Sequence, residues 1–186
     1  STSEEIFAYY EELKKDPKIR VIRWEKEFNY SAINNFAVRE ARGEYLLFLN
    51  NDVEIITENW LEEMLQLCQQ KDVGMAGAKL YYPDDTIQHA GVVVCLGGVA
   101  AHVLCKLPRD AEGYMGRLRC VQEISAVTAA CMMVKTSVFK AVGGFDEELK
   151  VAFNDIDLCM KERAAGKKVV FTPYAVSYTH LRAHET

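Results

Sequence analysis

Gly43–Glu54 reads GEYLLFLNNDVE, and the fold turns on how this stretch is read. Tyr45–Leu49 is an almost unbroken apolar run, which predicts a strand buried on both faces, as in parallel sheets. It breaks off at Asn50-Asn51-Asp52, with Glu54 just beyond. A carboxylate at the C-terminal end of such a strand sits where α/β sheets bind ligands. Oxygen donors of this kind suit hard divalent cations, above all those carrying phosphates. A polar turn closing a strand would have the same composition, so the remainder of the chain has to separate the two.

Moving outward, Ser31–Ala41 predicts a helix with Ile33, Phe36, Ala37 and Ala41 on its apolar side, stopped by Gly43. Asn59–Gln70 predicts a strongly amphipathic helix that turns Trp60, Leu61, Met64, Leu65 and Cys68 inward. Val73–Leu80 is a second apolar strand. Strands and helices alternating at this spacing indicate βαβ units and a parallel sheet. Upstream, Ser1 or Thr2 is placed to cap a helix whose apolar face is Ile6, Tyr9, Tyr10 and Leu13. Asp16-Pro17 ends it, and Ile19–Trp24 reads as a strand. Downstream, Thr86–Ala101 is Gly-rich and β-branched, and Leu104–Arg119 reads as a long irregular loop. Ile124–Val134 reads as a buried strand, Thr136–Val142 as a short helix, Asp155–Ala165 as a helix, and Lys168–Thr172 as a last strand.

The 186 residues suffice for one domain with a sizeable core. A net charge of −5 without a basic stripe excludes a nucleic-acid partner. The longest apolar stretches, such as Gly91–Ala101, are too short and Gly-rich to span a bilayer. The six cysteines are dispersed without a CxxC pair and read as reduced core residues, not as a disulfide framework or zinc site.

Five stretches in order carry a resemblance over Ser1 to Ala175: GEYLLFLNND, GAKLYYPDDTIQHAG, SAVTAACMMV, VGGFDEEL and FNDIDLCMKERAAGKKVVFTPYA. Together they resemble the family 2 glycosyltransferases of GT-A fold, close to the rhamnosyltransferase-like bacterial branch. The resemblance implies an α/β, Rossmann-like, mostly parallel sheet flanked by helices and incomplete at both ends. The family's first strand, with its nucleobase-binding acidic residue, is expected before Ser1. Residues 1–175 then form a partial domain. Val176–Thr186 (VSYTHLRAHET) resembles a translated sequencing adapter, so His180 and His184 are given no role despite their i, i+4 spacing.

The resemblance also implies a reaction: metal-dependent, inverting transfer of a sugar from a UDP- or dTDP-linked donor to a glycan or lipid-linked glycan acceptor, in surface polysaccharide synthesis. Asn50-Asn51-Asp52 stands where the family carries its acidic DXD motif. Asp52 is then the ligand of Mg²⁺ or Mn²⁺, with Asn50 in place of the usual first acid. Asn35 matches a position facing the nucleotide, although a solvated helix residue would look the same. Asn154-Asp155-Ile156-Asp157 matches the family's ED region and makes Asp155 the candidate base that takes the acceptor proton. Asp155 and Asp157 would equally favour a helix N-terminus through its dipole. Gly144, Phe145 and Asp146, in the acceptor-side loop Gly143–Glu147, are substrate-side candidates, as are Asp157 and His89 of the Gln88–Gly91 motif. A cytoplasmic enzyme at the inner membrane face is the implied setting, with oligomeric state open. Two readings compete: an inactive fragment that only binds a nucleotide or partner, and a nucleotidyltransferase. The latter is expected to carry a Gly-rich basic loop near its start, which the sequence lacks.

Overall fold

The apolar run does form a strand, β1 (Tyr45–Leu49), and it feeds two cores at once. The computed structural model describes residues 4–96 and 98–179. Leu46 and Phe48 enter one core, while Tyr45 and Leu47 pack against the other. The same period-2 division recurs in β8 (Cys131–Lys135), where Met132 and Val134 face the first core and Cys131 and Met133 the second. The sheet is thus a middle layer. Helix α3 (Trp60–Gln69) covers the second core through Met64 and Cys68. Helices α2 (Tyr30–Glu40), α4 (Thr136–Ala141) and α5 (Asn154–Ala164) cover the first, contributing Val38, Phe139, Leu158 and Cys159. Leu61, expected to face inward, is 40% exposed, in the first turn of the helix.

The remaining strands are β2 (Val53–Ile55), β3 (Val73–Tyr81), β4 (Ile87–His89), β5 (Val92–Val94), β6 (Ala100–His102), β7 (Gln122–Glu123) and β9 (Lys168–Thr179). The main sheet runs β1-β8-β3-β9-β2, with β4 on β3 and β7 on β9, and β5 and β6 form a separate ribbon. Strand directions differ from the expected parallel sheet. Only β3–β9 pairs parallel; β8 inserts antiparallel between β1 and β3. Since β8 opposes both neighbours, β1 and β3 still run the same way, as a βαβ unit requires. All nine residues of β3 are buried, whereas β1 pairs on one side only among the described residues and leaves Leu49 43% exposed.

Two expected strands are not strands. Ile19–Trp24 is irregular and has no sheet partner among the described residues, and a strand exists only by hydrogen bonding to a neighbour. Ile124–Ala130 is apolar but irregular: it makes a single bridge, Ala126 to Val92, and the strand itself starts at Cys131. The first helix, α1 (Glu4–Leu13), has no buried residue; its expected caps, Ser1 and Thr2, lie outside the described residues. Strand β9 continues past the expected Thr172, pairing Ser177–Thr179 with β2 and Val176–Tyr178 with β3. His180 and His184 lie outside the described residues. Cys68, Cys131 and Cys159 are buried free thiols as expected, but Cys95 and Cys120 are exposed and Cys105 half-buried. No helix among the described residues is long and apolar enough to cross a membrane.

Candidate active site

The irregular stretch Thr128-Ala129-Ala130, which leads into β8, brings the two acidic motifs together. Beyond the end of β1, Asn50 N–H donates to Ala130 O (2.9 Å), carrying the β1–β8 ladder one step past the strand. From the start of α5, Asp155 Oδ2 accepts Ala129 N–H (3.3 Å), and Tyr30 Oη donates to Ala129 O (3.4 Å). Three elements far apart in sequence thus meet on two residues, Ala129 and Ala130. Ala129 can serve Asp155 and Tyr30 because it lies in the turn before β8 and not in the ladder.

The chain enters α5 through Phe153, a non-glycine residue in the left-handed region (φ 63°). That conformation costs about 1–2 kcal/mol, and it turns the next residues inward. Asn154 is buried and donates to Leu149 O (3.4 Å), while Asp155 Oδ1 accepts Ile156 N–H (2.8 Å). The Asp155 carboxylate also bears on two neighbours. Burial first, then its charge, pushes the Tyr30 phenol up. Burial lowers the His102 imidazole, and Asp155 works against that fall.

Asp52 is half-buried, and its Oδ1 is shielded from solvent with no donor among the described residues. An orphaned carboxylate oxygen is costly unless something positive meets it. The donor set is therefore suited to a cation. No group of three His, Cys, Asp or Glu able to hold a metal gathers among the described residues. Asp52 thus offers a carboxylate oxygen outside any three-residue cluster, and further oxygen ligands would come from a phosphate-bearing ligand.

The other candidates separate into surface and interior. Asn35 is half-buried and engaged within the protein. Its Nδ2 donates to Phe145 O (2.9 Å) and its Oδ1 accepts Phe145 N–H (3.0 Å), so the amide clamps α2 to the Gly143–Glu147 loop as a peptide group would. Phe145 is buried, edge-on to Phe48 (5.0 Å), Phe139 (5.5 Å) and Tyr30 (5.9 Å), so it anchors the loop and cannot contact a substrate. Gly144 is also buried. His89 is fully buried, and both of its ring nitrogens are engaged within the protein, which removes it as a direct substrate contact. Asp146 accepts Glu148 N–H (2.9 Å) in a local turn, and Asp157 pairs with Lys161 (2.7 Å); both stay partly open to solvent. Tyr30, His102 and Thr128–Ala130 were missed from the sequence. Tyr30 and His102 belong to no motif, and Thr128–Ala130 is hidden inside an apolar run.

Gly144 is held where φ is +71°, and a Cβ there would lie 2.8 Å from Asn35 Oδ1 and 2.9 Å from Phe139 Cε1. Gly144→Ala should therefore destabilise by roughly 2 kcal/mol or more, lowering the melting temperature by several degrees. Thermal unfolding followed by circular dichroism checks this; an unchanged midpoint would mean that the loop relaxes freely.

This arrangement, an α/β layer with acidic residues at a strand end and at a facing helix start, defines the class. The same fold is present in the structure of GalNAc-T7 with UDP, GalNAc and Mn²⁺. That match has a TM-score of 0.73 at 14% identity and covers 98% of this chain and 36% of that one. The fold is thus that of GT-A glycosyltransferases. The pattern of the family described as Glycosyl transferase family 2 matches residues 1–143. The chain belongs to glycosyl transferase family 2. It is 54% identical over 174 residues to the uncharacterized protein y4gI of Sinorhizobium fredii, covering 91% of this chain. It is 40% identical over 187 residues to the O-antigen biosynthesis protein RfbC of Myxococcus xanthus, covering all of it. The chain spans 19% and 14% of the lengths of these two proteins.

Proposed function

We propose that the chain forms the catalytic core of a metal-dependent, inverting glycosyltransferase of surface polysaccharide synthesis. The observation that carries this reading is the meeting of Asn50 and Asp155 on Ala129-Ala130, with one oxygen of Asp52, two residues after Asn50, buried and without a hydrogen-bond partner among the described residues. A divalent cation held by Asp52 would neutralise the diphosphate leaving group of a nucleotide sugar. The RfbC likeness supports an O-antigen-type glycan as acceptor, and the UDP and Mn²⁺ bound to GalNAc-T7 support a UDP-type donor with that metal. Asp155 takes the proton from the attacking hydroxyl. The hydroxyl oxygen bonds to the anomeric carbon from the face opposite the leaving group. The bond from that carbon to the diphosphate breaks, and a nucleoside diphosphate departs.

The test is the melting temperature with UDP and with dTDP, each with and without Mn²⁺, beside Asp52→Ala. Ligand at about a hundred times its Kd stabilises by about 2.7 kcal/mol, several degrees for a chain of this size. The expected result is a Mn²⁺-dependent rise that Asp52→Ala abolishes. A rise that survives the substitution would place the metal elsewhere. With acceptor added, release of a nucleoside diphosphate distinguishes sugar transfer from nucleotidyl transfer, which releases pyrophosphate. Binding without any release would support the binding-only alternative.

A further inference from the structure

Behind Asp155 lies a pair of imidazoles that the reaction above does not use. His89, from β4, and His102, from β6, meet edge to face with Nδ1 to Nδ1 at 2.9 Å. The other His89 nitrogen, Nε2, accepts Thr128 N–H (3.4 Å). The next peptide along donates to the Asp155 carboxylate. We propose that His89 and His102 are positioning residues that set Asp155 for proton abstraction by holding the Thr128–Ala129 peptides, with one fixed direction of hydrogen bonding. This rests on the reading of Asp155 as the base.

The proton inventory supplies the direction. A backbone N–H can only donate, so His89 Nε2 carries no proton. A neutral His89 must then be protonated at Nδ1, which donates to His102 Nδ1 and leaves the His102 proton on Nε2. Neither ring can gain a second proton without setting two donors face to face. A charged His102 would point an N–H at the His89 N–H, and a charged His89 would point one at Thr128 N–H. The surroundings favour the neutral pair: burial holds His89 well below its usual value, and His102 adds to the effect. From α5, Asp155 is the charged group that bears on His102, and Tyr30 of α2 is the other titratable group beside that carboxylate. The chain His102–His89–Thr128 is therefore a rigid strut whose far end is the peptide next to the one Asp155 accepts from.

Two variants of His102 separate the strut from simple packing. His102→Asn keeps an oxygen where Nδ1 stood and can still accept from His89; His102→Leu fills similar space but cannot. The measurement is amide hydrogen exchange at Thr128 and Ala129 in the full chain, with Met133 in β8 reporting general stability. His102→Leu should speed exchange at Thr128 and Ala129 about tenfold, the value of one hydrogen bond, with Met133 unchanged and His102→Asn near wild type. Long-range ¹H–¹⁵N imidazole spectra of the unaltered chain should show His89 protonated at Nδ1. Equal exchange in both variants, or a His89 proton on Nε2, would overturn the proposal. If the variants also transfer sugar, His102→Leu should lower kcat about tenfold at constant KM for the donor, and His102→Asn should restore it. Full turnover by Asp155→Asn with the exchange result intact would refute the base assignment while leaving the strut standing.

Discussion

Asp155→Asn should lower kcat for sugar transfer by about 10²–10⁴-fold, the usual contribution of a positioned general base, with KM for the nucleotide sugar nearly unchanged. The substitution preserves shape. The Asn oxygen can keep one of the two acceptor roles that Asp155 Oδ1 and Oδ2 play toward Ile156 and Ala129. Its amide nitrogen must face the other donor, so a stability loss of about 1 kcal/mol is expected. That is far too small to unfold the chain and account for the kinetic loss. A fall in kcat without a rise in KM identifies an interaction made only in the transition state. Asp157→Asn is the stability control on the same helix: it gives up a partly exposed pair with Lys161 and should cost little unfolding free energy. Equal kcat for Asp155→Asn and the unaltered chain, with nucleoside diphosphate release as readout, would place the base on another residue.

What could be read from the sequence divides along a physical line. Hydrophobic runs report burial, so β1, β3 and α3 were all legible. They do not report which backbone groups pair. The strand that separates β1 from β3 comes from Cys131–Lys135, and no local pattern at Leu49 or Val73 foretells it. Ile124–Ala130 is buried like a strand, yet it bridges Val92 only at Ala126, and its Thr128 and Ala129 peptides serve His89 and Asp155. Ile19–Trp24 shows the converse, a strand-like composition in an irregular segment with no sheet partner among the described residues.

The site followed the same rule. Asp52 and Asp155 could be proposed because acids at a strand end and at a helix start are local patterns, strengthened by the order of the five motifs. Asn35 was singled out from a motif position, and the structure shows a contact that the motif does not contain. Its amide meets the Phe145 backbone 110 positions away, a pairing no spacing argument contains. The His89–His102 contact was equally invisible, since it depends on how β4 and the β5–β6 ribbon fold against each other.

Glu162, two turns beyond Asp155 on α5, should make stability depend on pH in the sense opposite to most carboxylates. It is fully buried, and neither carboxylate oxygen has a hydrogen-bond partner among the described residues. Burial pushes its carboxyl up to about 8, against the pull of Lys167 and Lys135. The native state therefore binds a proton that the unfolded chain has already released between its ordinary value of 4.5 and about 8. Over that window the native state holds more protons, so unfolding free energy falls as pH rises, and levels off above pH 8. Glu162→Gln stays neutral throughout. It should match the unaltered chain below the lower limit and exceed it at pH 8.5, by on the order of 4 kcal/mol at most. Urea titrations at pH 4.5 and pH 8.5 measure both differences. An equal difference at the two pH values would mean that the carboxylate is ionised in the fold and has a cationic partner. Gly74 makes the site possible, because a Cβ there would fall 2.1 Å from Glu162 Oε2. Shortening the acid in Glu162→Ala should accordingly relieve the clash introduced by Gly74→Ala, so that the double variant is more stable than the sum of the two single changes predicts.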